Sequence, residues 1–539
     1  MRPMSYDFRS RRSMVVARRG MVATSNPLAA QAGLAILRRG GNAADAAIAA
    51  AAVLNVTEPA STGIGGDCFA LYFDALTRKI TALNGSGRAP AALTPELFAA
   101  RHLSAIPERS ALAVTVPGTV AGWSDLLAKH GSMGLSDVLQ DAIHYARDGY
   151  PVGPLFGAAW KRLEAFLRAS PNTDDYLPGG SAPSVGQLVR LPGLARTLQA
   201  IADGGAEAFY SGTVADAVVR TLEALDGVMS LDDLKQHCST WETPIAIDYR
   251  GVTVYECPPN GQGLAALQAL NVASLSNLAD LPWDSPERLH FMVEAMRLAF
   301  ADARHYIADN GTNPAPLEWL LSRSYARERQ ALISPDRAMQ PPSFGRPVAG
   351  SDTVYLTAVD AAGNACSFIN SLYMGFGTGI VAKDTGVFLQ NRGALFDLDP
   401  DHPNVLAPGK RPYHTIIPGM ALKNGELWAS FGVMGGFMQP QGHFQVISAL
   451  VDDDLNPQEA LDRPRFCLID GSGESILALE DGIPVATMAR LAELGHQVQP
   501  VSGAGRKLFG DGHIICRDAE TGVLYGGSDP RKDGLTAAF

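Results

Sequence analysis

Residues 353–372 read TVYLTAVDAAGNACSFINSL and carry a sharp β-hairpin signal. Residues 354–359 form an apolar run with β-branched and aromatic side chains, and residues 365–372 form a second such run. Between them, residues 360–364 (DAAGN) contain the Asp, Gly and Asn that turns favour. The pattern predicts two antiparallel strands joined by a short turn.

The predicted hairpin places two hydroxyl side chains opposite each other. If the turn is centred on Ala362, Thr353 and Ser371 each lie nine residues from the centre. Directly paired side chains have Cβ atoms about 4.5–5.5 Å apart, so the two hydroxyls would be within hydrogen-bond reach. A slip of one residue would separate them. A facing Thr–Ser pair is more often structural than catalytic, so the hairpin alone does not assign chemistry.

The segment before the hairpin has the composition of a linker. Residues 334–351 have no periodic apolar pattern. Their prolines and glycines are Pro335, Pro341, Pro342, Gly345, Pro347 and Gly350. A structureless segment directly before a buried strand is typical of a processing site. A plain interdomain linker would have the same composition, so the residues alone leave both interpretations open.

Composition excludes several classes of protein. The chain has 539 residues, 46% hydrophobic and 18% charged, which is ordinary for a globular protein with a large core. A formal net charge of −11, with no Lys/Arg run interleaved with aromatic residues, argues against nucleic-acid binding. The apolar run over residues 43–54 is too short to span a membrane and contains Asp45. We expect no membrane association, no metal and no cofactor.

Cysteine usage and the N-terminus favour a cytoplasmic location. The six cysteines are irregularly spaced and form no CxxC motif, which is typical of reduced thiols. Ser10-Arg11-Arg12 is followed by Arg18 and Arg19, which interrupt any apolar signal segment. We therefore expect a cytoplasmic protein.

Helix and strand signals alternate along the chain. Gly40-Gly41 can end one helix, and Asn42 can cap the next, alanine-rich one. The predicted elements are helices over 27–39, 43–54 and 290–306 and a strand over 68–73. This alternation favours the α/β (α+β) class.

Short motifs recur through nearly the whole chain. They are Gly20-Met21-Val22-Ala23, residues 40–47 (GGNAADAA), 116–122 (VPGTVAG), Glu294-Ala295-Met296, 299–302 (AFAD), 376–381 (FGTGIV), Lys410-Arg411-Pro412, Gly435-Gly436 and Ser528-Asp529-Pro530-Arg531. In this order the motifs resemble the gamma-glutamyltranspeptidase (glutathione hydrolase) family, in particular its divergent glutathione hydrolase-like branch.

The resemblance implies a fold and a maturation step. The family fold is a four-layer αββα sandwich of the N-terminal-nucleophile hydrolase type. Its members are zymogens that cut themselves autocatalytically, here between Asp352 and Thr353. The products would be a large subunit, 1–352, ending in a processing linker at about 334–352, and a small catalytic subunit, 353–539. The implied partners are these two subunits and a small-molecule amide substrate, with a homo-oligomer of processed heterodimers as one possibility.

The resemblance also implies a catalytic centre. Cleavage would free the α-amino group of Thr353, whose pKa near 8 lets it act as base for the neighbouring hydroxyl. Ser371 stands at the position of a second threonine that hydrogen-bonds the nucleophile. Gly435-Gly436 matches the glycine pair whose N–H groups stabilise the oxyanion. Without the resemblance, these glycines would indicate only a turn.

The substrate-binding positions depart from the family pattern. Ser86 stands where the family has its carboxylate-binding arginine, and Arg88, two residues away, could replace it or could be a surface residue. Leu395 stands where the family has the acidic residue that holds the glutamyl amino group. A leucine cannot bind an ammonium group.

Other substrate-binding positions are altered as well. Tyr373 replaces a pocket asparagine, and His414-Thr415 replaces a pair of serines. Arg392 offers a second possible carboxylate fork. Because buried polar groups discriminate strongly between substrates, these changes predict an altered substrate preference.

Three functions are compatible with the sequence. The first is a gamma-glutamyl hydrolase or acyltransferase of glutathione metabolism that forms an acyl-enzyme on Thr353. The second is an acylase for another small carboxylate-bearing amide of the oxamate or glutaryl type. The third is an inactive, unprocessed homologue that acts as a binding protein.

Overall fold

The hairpin lies at the centre of a large antiparallel sheet. The computed structural model describes residues 12–340, 352–472 and 475–539. Its strands are β1 (Val15–Ala17), β2 (Met21–Thr24), β3 (Asp67–Asp74), β4 (Lys79–Gly85), β5 (Tyr150–Pro151), β6 (Leu188–Val189), β7 (Thr240–Glu242), β8 (Ile245–Tyr249), β9 (Val252–Glu256), β10 (Asp352–Val359), β11 (Ala365–Tyr373), β12 (Val381–Ala382), β13 (Val387–Phe388), β14 (Gly419–Lys423), β15 (Glu426–Met434), β16 (Phe466–Leu468), β17 (Leu477–Glu480), β18 (Val498–Val501), β19 (Asp511–Arg517), β20 (Leu524–Ser528) and β21 (Leu535–Ala538).

Helices surround the strands. They are α1 (Pro27–Arg38), α2 (Ala43–Thr57), α3 (Pro95–Ala100), α4 (Thr119–His130), α5 (Leu135–Val138), α6 (Gln140–Asp148), α7 (Pro154–Arg162), α8 (Glu164–Ala169), α9 (Pro192–Gly204), α10 (Glu207–Tyr210), α11 (Thr213–Glu223), α12 (Leu231–Lys235), α13 (Gly263–Ala273), α14 (Pro286–Tyr306), α15 (Leu317–Leu320), α16 (Arg323–Gln330), α17 (Met438–Val451), α18 (Pro457–Asp462) and α19 (Val485–Glu493). Within the described part of the chain, no helix is both long enough and apolar enough to cross a lipid bilayer.

Two seven-stranded sheets form the centre of the molecule. The first has the order β21-β2-β10-β11-β3-β4-β7, and the second has the order β1-β20-β19-β15-β14-β9-β8. Neighbouring strands in both are antiparallel. Smaller sheets join β5 with β6, β12 with β13, and β16 with β17 and β18.

The hairpin register is the predicted one. Val354 pairs with Asn370, and the pairing continues without a break to the end of β10, so the turn is centred on Ala362. The register shifts once, between Asp352 and Val354, which leaves Thr353 at an irregularity next to the first residue of the strand. Such a bulge re-aims a side chain, and here the re-aimed residue is the predicted nucleophile.

Alternate residues of β10 pack against different layers, as the two-residue repeat of a strand requires. One set joins the apolar cluster that contains α1 and α2, namely Val354, Leu356 and Ala358. The other set faces the second sheet, where the Thr357 hydroxyl donates to Ser430 Oγ over 2.6 Å. The Tyr355 ring lies against Gly432, where a side chain would clash with it. The sheets are therefore stacked with β10 directly opposite β15.

A second layer of helices covers the outer face of the other sheet. Residues of α13, α14 and α17 form one apolar cluster with β15 and β19, while residues of both sheets form the cluster between them. The layers are thus helix, sheet, sheet and helix, which confirms the predicted four-layer αββα sandwich.

The predicted local elements are also present. The helices predicted over 27–39 and 43–54 correspond to α1 and α2, the strand over 68–73 to β3, and the helix over 290–306 to the end of α14. All six cysteines are unpaired, and Cys238 is the exposed one. Most of the predicted processing linker, residues 341–351, lies outside the described residues.

Helix α2 is buried along its whole length and depends on one carboxylate for its start. The Asn42 side chain accepts from the backbone N–H of Asp45, and Asp45 Oδ2 accepts from the N–H of Asn42 over 2.8 Å. Asp45 also accepts hydrogen bonds from the N–H and hydroxyl of Ser132 and from the N–H of Met133. One side chain thereby caps the helix and anchors the loop after α4.

We expect Asp45→Ala to destabilise the protein by about 2–3 kcal/mol, because it removes a helix cap and leaves several donors unsatisfied. The shift of the urea unfolding midpoint measures this loss. The matched control is Asp137→Ala, which removes an acid from the same position of the exposed helix α5, where it accepts from Gly134 N–H. A shift no larger than that of the control would contradict the role of Asp45.

Candidate functional site

The Thr353 and Ser371 hydroxyls meet at the edge of the hairpin. Both residues are fully buried, and their Oγ atoms are 3.2 Å apart. Thr353 precedes the regular part of β10, and Ser371 lies on β11 beside Asp67 of β3. The cross-strand contact that the sequence predicted is therefore present.

Two further groups hold the Ser371 hydroxyl in place. The backbone N–H of Tyr373 donates to Ser371 Oγ over 2.8 Å, and Arg392 Nη2 donates to it over 3.2 Å. Both groups can only donate, so the hydroxyl oxygen accepts from each of them. The contact between Thr353 Oγ1 and Ser371 Oγ is one in which either hydroxyl can donate.

Arg392 is a buried cation whose bonds in the site are to hydroxyls. It begins a short 3₁₀ turn, Arg392–Leu395, and its Nη1 donates to Thr415 Oγ1 over 2.7 Å. Its guanidinium lies over the Tyr373 ring, 4.6 Å from the centroid. Burial lowers the pKa of Arg392 to about 10, so the group is charged at neutral pH.

The Arg392 guanidinium has no salt bridge to a described residue, and its Nε–H has no acceptor among them. The charge of Asp67 acts on it from beyond salt-bridge distance. A buried charge without a directly paired counter-ion is costly. The group is therefore suited to binding an anionic ligand, and a carboxylate fits its planar fork.

Tyr373 places a second unpaired polar group beside this arginine. Its backbone adopts a φ of 79°, which is uncommon for a side chain of this size, and its hydroxyl is buried without a partner in the described structure. Burial raises the pKa of Tyr373, so the hydroxyl stays protonated and can donate to a ligand.

His414 positions other groups of the site. The N–H of Ile416 donates to His414 Nδ1 over 3.3 Å, which leaves Nε2 to donate to Asp67 Oδ2 over 3.0 Å. Burial lowers the pKa of His414 to about 3, so the ring is neutral at physiological pH. Both nitrogens are occupied, and the neighbouring Thr415 is the one that contacts Arg392.

The glycine pair lies at the C-terminal end of β15, a strand of the second sheet. Gly435 and Gly436 follow β15 directly and have φ values of 121° and 61°. Because Tyr355 lies against Gly432 and Thr357 contacts Ser430, continuing the same two-residue step brings Thr353 to the C-terminal end of β15. Neither glycine N–H has an acceptor within the described part of the chain. Two free N–H groups close to the predicted nucleophile are the arrangement that an oxyanion needs.

One side chain connects the glycine pair to the arginine. Gln262 Nε2 donates to the carbonyl of Gly436 over 2.8 Å and to the carbonyl of Thr415 over 2.6 Å. The hydroxyl of Tyr413 donates to Gln262 Oε1 over 3.0 Å, which fixes the orientation of the amide. Gln262 is fully buried. A continuous series of hydrogen bonds thus runs from Thr353 through Ser371 and the arginine to the glycine pair.

Asp67 connects the site to the first sheet. Its Oδ1 accepts from the N–H of Gly87 over 2.8 Å and from Gln390 Nε2 over 2.9 Å, while Oδ2 accepts from His414. Sequence analysis singled out neither Asp67 nor Gln262. The available signal was a polar residue that follows a glycine turn at the start of an apolar element: Asp67 is the first residue of β3, and Gln262 directly precedes α13.

Arg88 and Arg392, the two alternatives that the sequence offered for binding a carboxylate, lie in different parts of the structure. Arg88 is half-buried, and its Nη1 donates to the carbonyl of Cys238 over 3.1 Å. Arg392, in contrast, contacts Ser371 directly. Leu395 is buried in an apolar cluster that also contains Tyr373. Of the two arginines, Arg392 is therefore the one that lies at the hydroxyl pair.

One group of side chains has the composition of a metal site. Ligand atoms of His290, Glu294 and His496 lie within 4.8 Å of one another. His290 already bonds the carbonyl of Ser334 and the ring of His496, and Glu294 accepts from the N–H of Met339. These bonds hold the described start of the predicted linker against α14 and the loop after α19, and they leave few lone pairs for an ion.

Comparisons with known proteins agree with this geometry. Residues 29–539 match the family described as Gamma-glutamyltranspeptidase. The chain is 39% identical to the glutathione hydrolase-like YwrD proenzyme of Bacillus subtilis (strain 168), over 97% of this chain and 99% of that protein. It is 36% identical to the oxamate amidohydrolase proenzyme of Klebsiella pneumoniae, over 97% and 99%.

A solved structure extends the likeness to three dimensions. The crystal structure of the cephalosporin acylase from Bacillus halodurans has a TM-score of 0.93 and 45% identity, covering 100% of this chain and 99% of that one. Family match, sequence identity and fold therefore agree over nearly the full length. The chain belongs to the gamma-glutamyltranspeptidase family of N-terminal-nucleophile hydrolases.

Proposed function

We propose that the chain cleaves itself between Asp352 and Thr353 and then hydrolyses small carboxylate-bearing amides through an acyl-enzyme on Thr353. The observation that carries the proposal is the buried Thr353 hydroxyl, which is hydrogen-bonded to Ser371 at the start of a central strand. A buried hydroxyl pair that is held by Arg392 and the N–H of Tyr373 serves catalysis, whereas an inactive binding protein does not require one.

The chemistry follows from this arrangement. The Thr353 oxygen attacks the carbonyl carbon of the amide, and its proton passes to the α-amino group that cleavage has freed. The oxyanion binds the N–H groups of Gly435 and Gly436. The C–N bond then breaks, and the proton goes to the leaving amine. A water molecule hydrolyses the ester, which releases the acid and restores the hydroxyl.

The sheet topology is compatible with a cut that leaves the subunits together. In the first sheet, β10 of the small subunit lies between β2 of the large subunit and β11. In the second sheet, β14 pairs with β9 of the large subunit. Removing one peptide bond leaves these ladders intact, so residues 1–352 and 353–539 would remain a heterodimer.

The substrate is an amide whose acyl group carries a carboxylate. The buried guanidinium of Arg392 supplies a fork for that carboxylate, with Thr415 and Tyr373 beside it. Leu395 offers no charge for an α-amino group. The related proteins named oxamate amidohydrolase and cephalosporin acylase are consistent with an acyl group other than glutamyl.

We also propose a cytoplasmic location. All six cysteines are unpaired, and five of them are buried. Unpaired buried thiols support a reducing compartment.

Self-processing is tested with two variants of Thr353. The purified wild type should separate into two fragments on a denaturing gel, and the smaller should begin Thr-Val-Tyr-Leu. Thr353→Ala should remain a single inactive chain, because both steps use the same hydroxyl. Thr353→Ser keeps the hydroxyl and should still be cleaved. A fragment with any other N-terminus would remove Thr353 from the mechanism.

The pH dependence distinguishes the α-amino group from His414 as base. We expect kcat/KM to rise with pH as an amine with a pKa near 8 loses its proton. His414, with a pKa of about 3, is already neutral across pH 5–9 and contributes no change there. The acidic limb should therefore keep its midpoint in His414→Asn, although overall activity falls. Loss of this limb in His414→Asn would identify the histidine as the base.

Gln262 should affect the rate more than substrate binding. Gln262→Met removes both donated hydrogen bonds that hold the Gly436 peptide and Thr415, so we expect kcat to fall about tenfold or more. The control is Gln268→Met, which removes a buried glutamine of α13 that donates to Asp302 over 3.0 Å. Steady-state kinetics on both processed proteins would compare them. Equal effects would show that Gln262 is only a packing residue.

A further inference from the structure

The loop that follows β11 carries one of the two groups that hold the Ser371 hydroxyl. This loop, residues 373–379, begins at Tyr373, whose backbone N–H donates to Ser371 Oγ over 2.8 Å. Four of its seven residues have positive φ values, among them Tyr373 at 79° and Phe376 at 59°. Because this conformation is unfavourable for residues with large side chains, the loop depends on bonds from the surrounding structure.

An arginine on the large-subunit side of the proposed cleavage site supplies two of these bonds. Arg109 Nη1 donates to the carbonyl of Gly375 over 2.8 Å and also to the carbonyl of Gly377. The Arg109 guanidinium lies over the Phe166 ring, 4.3 Å from its centroid. The same ring packs against Gly379, where a side chain would clash with it. Arg109 and Phe166 therefore hold the loop together.

A buried asparagine connects the Arg109 segment to the loop. Asn391 Nδ2 donates to the carbonyl of Glu108 over 3.0 Å, and Asn391 Oδ1 accepts from the N–H of Met374 over 3.1 Å. Asn391 directly precedes Arg392 in the chain, and Met374 directly follows Tyr373. One fully buried side chain thus fixes the Arg109 segment, the start of the loop and the arginine of the site relative to one another.

We propose that Arg109 is a positioning residue of the catalytic centre, which acts across the subunit boundary by holding the loop that presents the Tyr373 N–H to Ser371. Without the two bonds to its carbonyls, the loop shifts and Ser371 loses one of the two donors that hold its hydroxyl. The reaction at Thr353 then slows although the fold is retained. This inference rests on the proposed function, because it assigns Arg109 a part in the reaction of Thr353.

The test replaces the side chain and then supplies its head group from solution. Arg109 is exposed, so in Arg109→Ala the Phe166 ring and the two loop carbonyls can bind a free guanidinium ion. The substrates are the oxalyl, succinyl and glutaryl 4-nitroanilides, and for the processed heterodimer we expect kcat to fall about tenfold with a smaller change in KM. Guanidinium chloride, well below denaturing concentrations, should restore most of the lost rate without accelerating the wild type. Sodium chloride at the same concentration should restore none of it.

Arg101→Ala is the matched control, because Arg101 is an exposed arginine that also donates to a backbone carbonyl, that of Asp226, over 3.1 Å. This control should keep the wild-type kcat and show no response to guanidinium. An Arg109→Ala enzyme as fast as the wild type, or a slow one that guanidinium does not restore, would overturn the inference and leave the proposed function standing. A wild-type heterodimer that has Thr353 at its N-terminus but cleaves none of the three anilides would count against the proposed function itself.

Discussion

The contact between the Thr353 and Ser371 hydroxyls depends on the register of one hairpin, and the rest of the site depends on that contact. A shift of one residue would turn Thr353 toward α2 and away from the second sheet, because successive side chains point to opposite faces. The register is held by the turn at Asp360, whose carboxylate accepts from the N–H groups of Ala362 and Asn364. It is held again by the contact of Thr357 with Ser430 across the two sheets.

The sequence specifies this part of the molecule because the interactions are local. Turn residues at 360–364 and two flanking apolar runs determine the pairing, and they predicted both the hairpin centre and the facing hydroxyls. The helix start at Asn42 was predictable for the same reason, since cap and helix are adjacent in the chain. The layer arrangement and the family could not be predicted from one local segment. They were predicted from motifs spread over the whole sequence, through the resemblance of those motifs to a known family.

The surroundings of the hydroxyl pair could not be predicted in this way. Gln262 reaches Thr415 and Gly436 through contacts between residues more than 150 positions apart. Asp67 meets His414 across a still longer separation. The choice between Arg88 and Arg392 likewise remained open, because each follows a polar motif and only the folded sheets show which guanidinium contacts Ser371. These long-range contacts depend on tertiary packing, which the local amino-acid composition does not determine.

In the proposed mechanism, Arg392 links the orientation of the nucleophile to the choice of substrate. Its Nη2 donates to Ser371 Oγ and so helps to fix the hydroxyl that contacts Thr353. The same guanidinium, which is buried and has no salt bridge to a described residue, favours an anion beside it. When a carboxylate binds, it neutralises that charge at the place where the hydroxyl pair is being oriented. A neutral acyl group leaves the charge unpaired and gains none of this stabilisation. In the proposed mechanism, the carboxylate of the substrate therefore offsets part of the free-energy cost of burying Arg392, and this one residue contributes to both catalysis and selectivity.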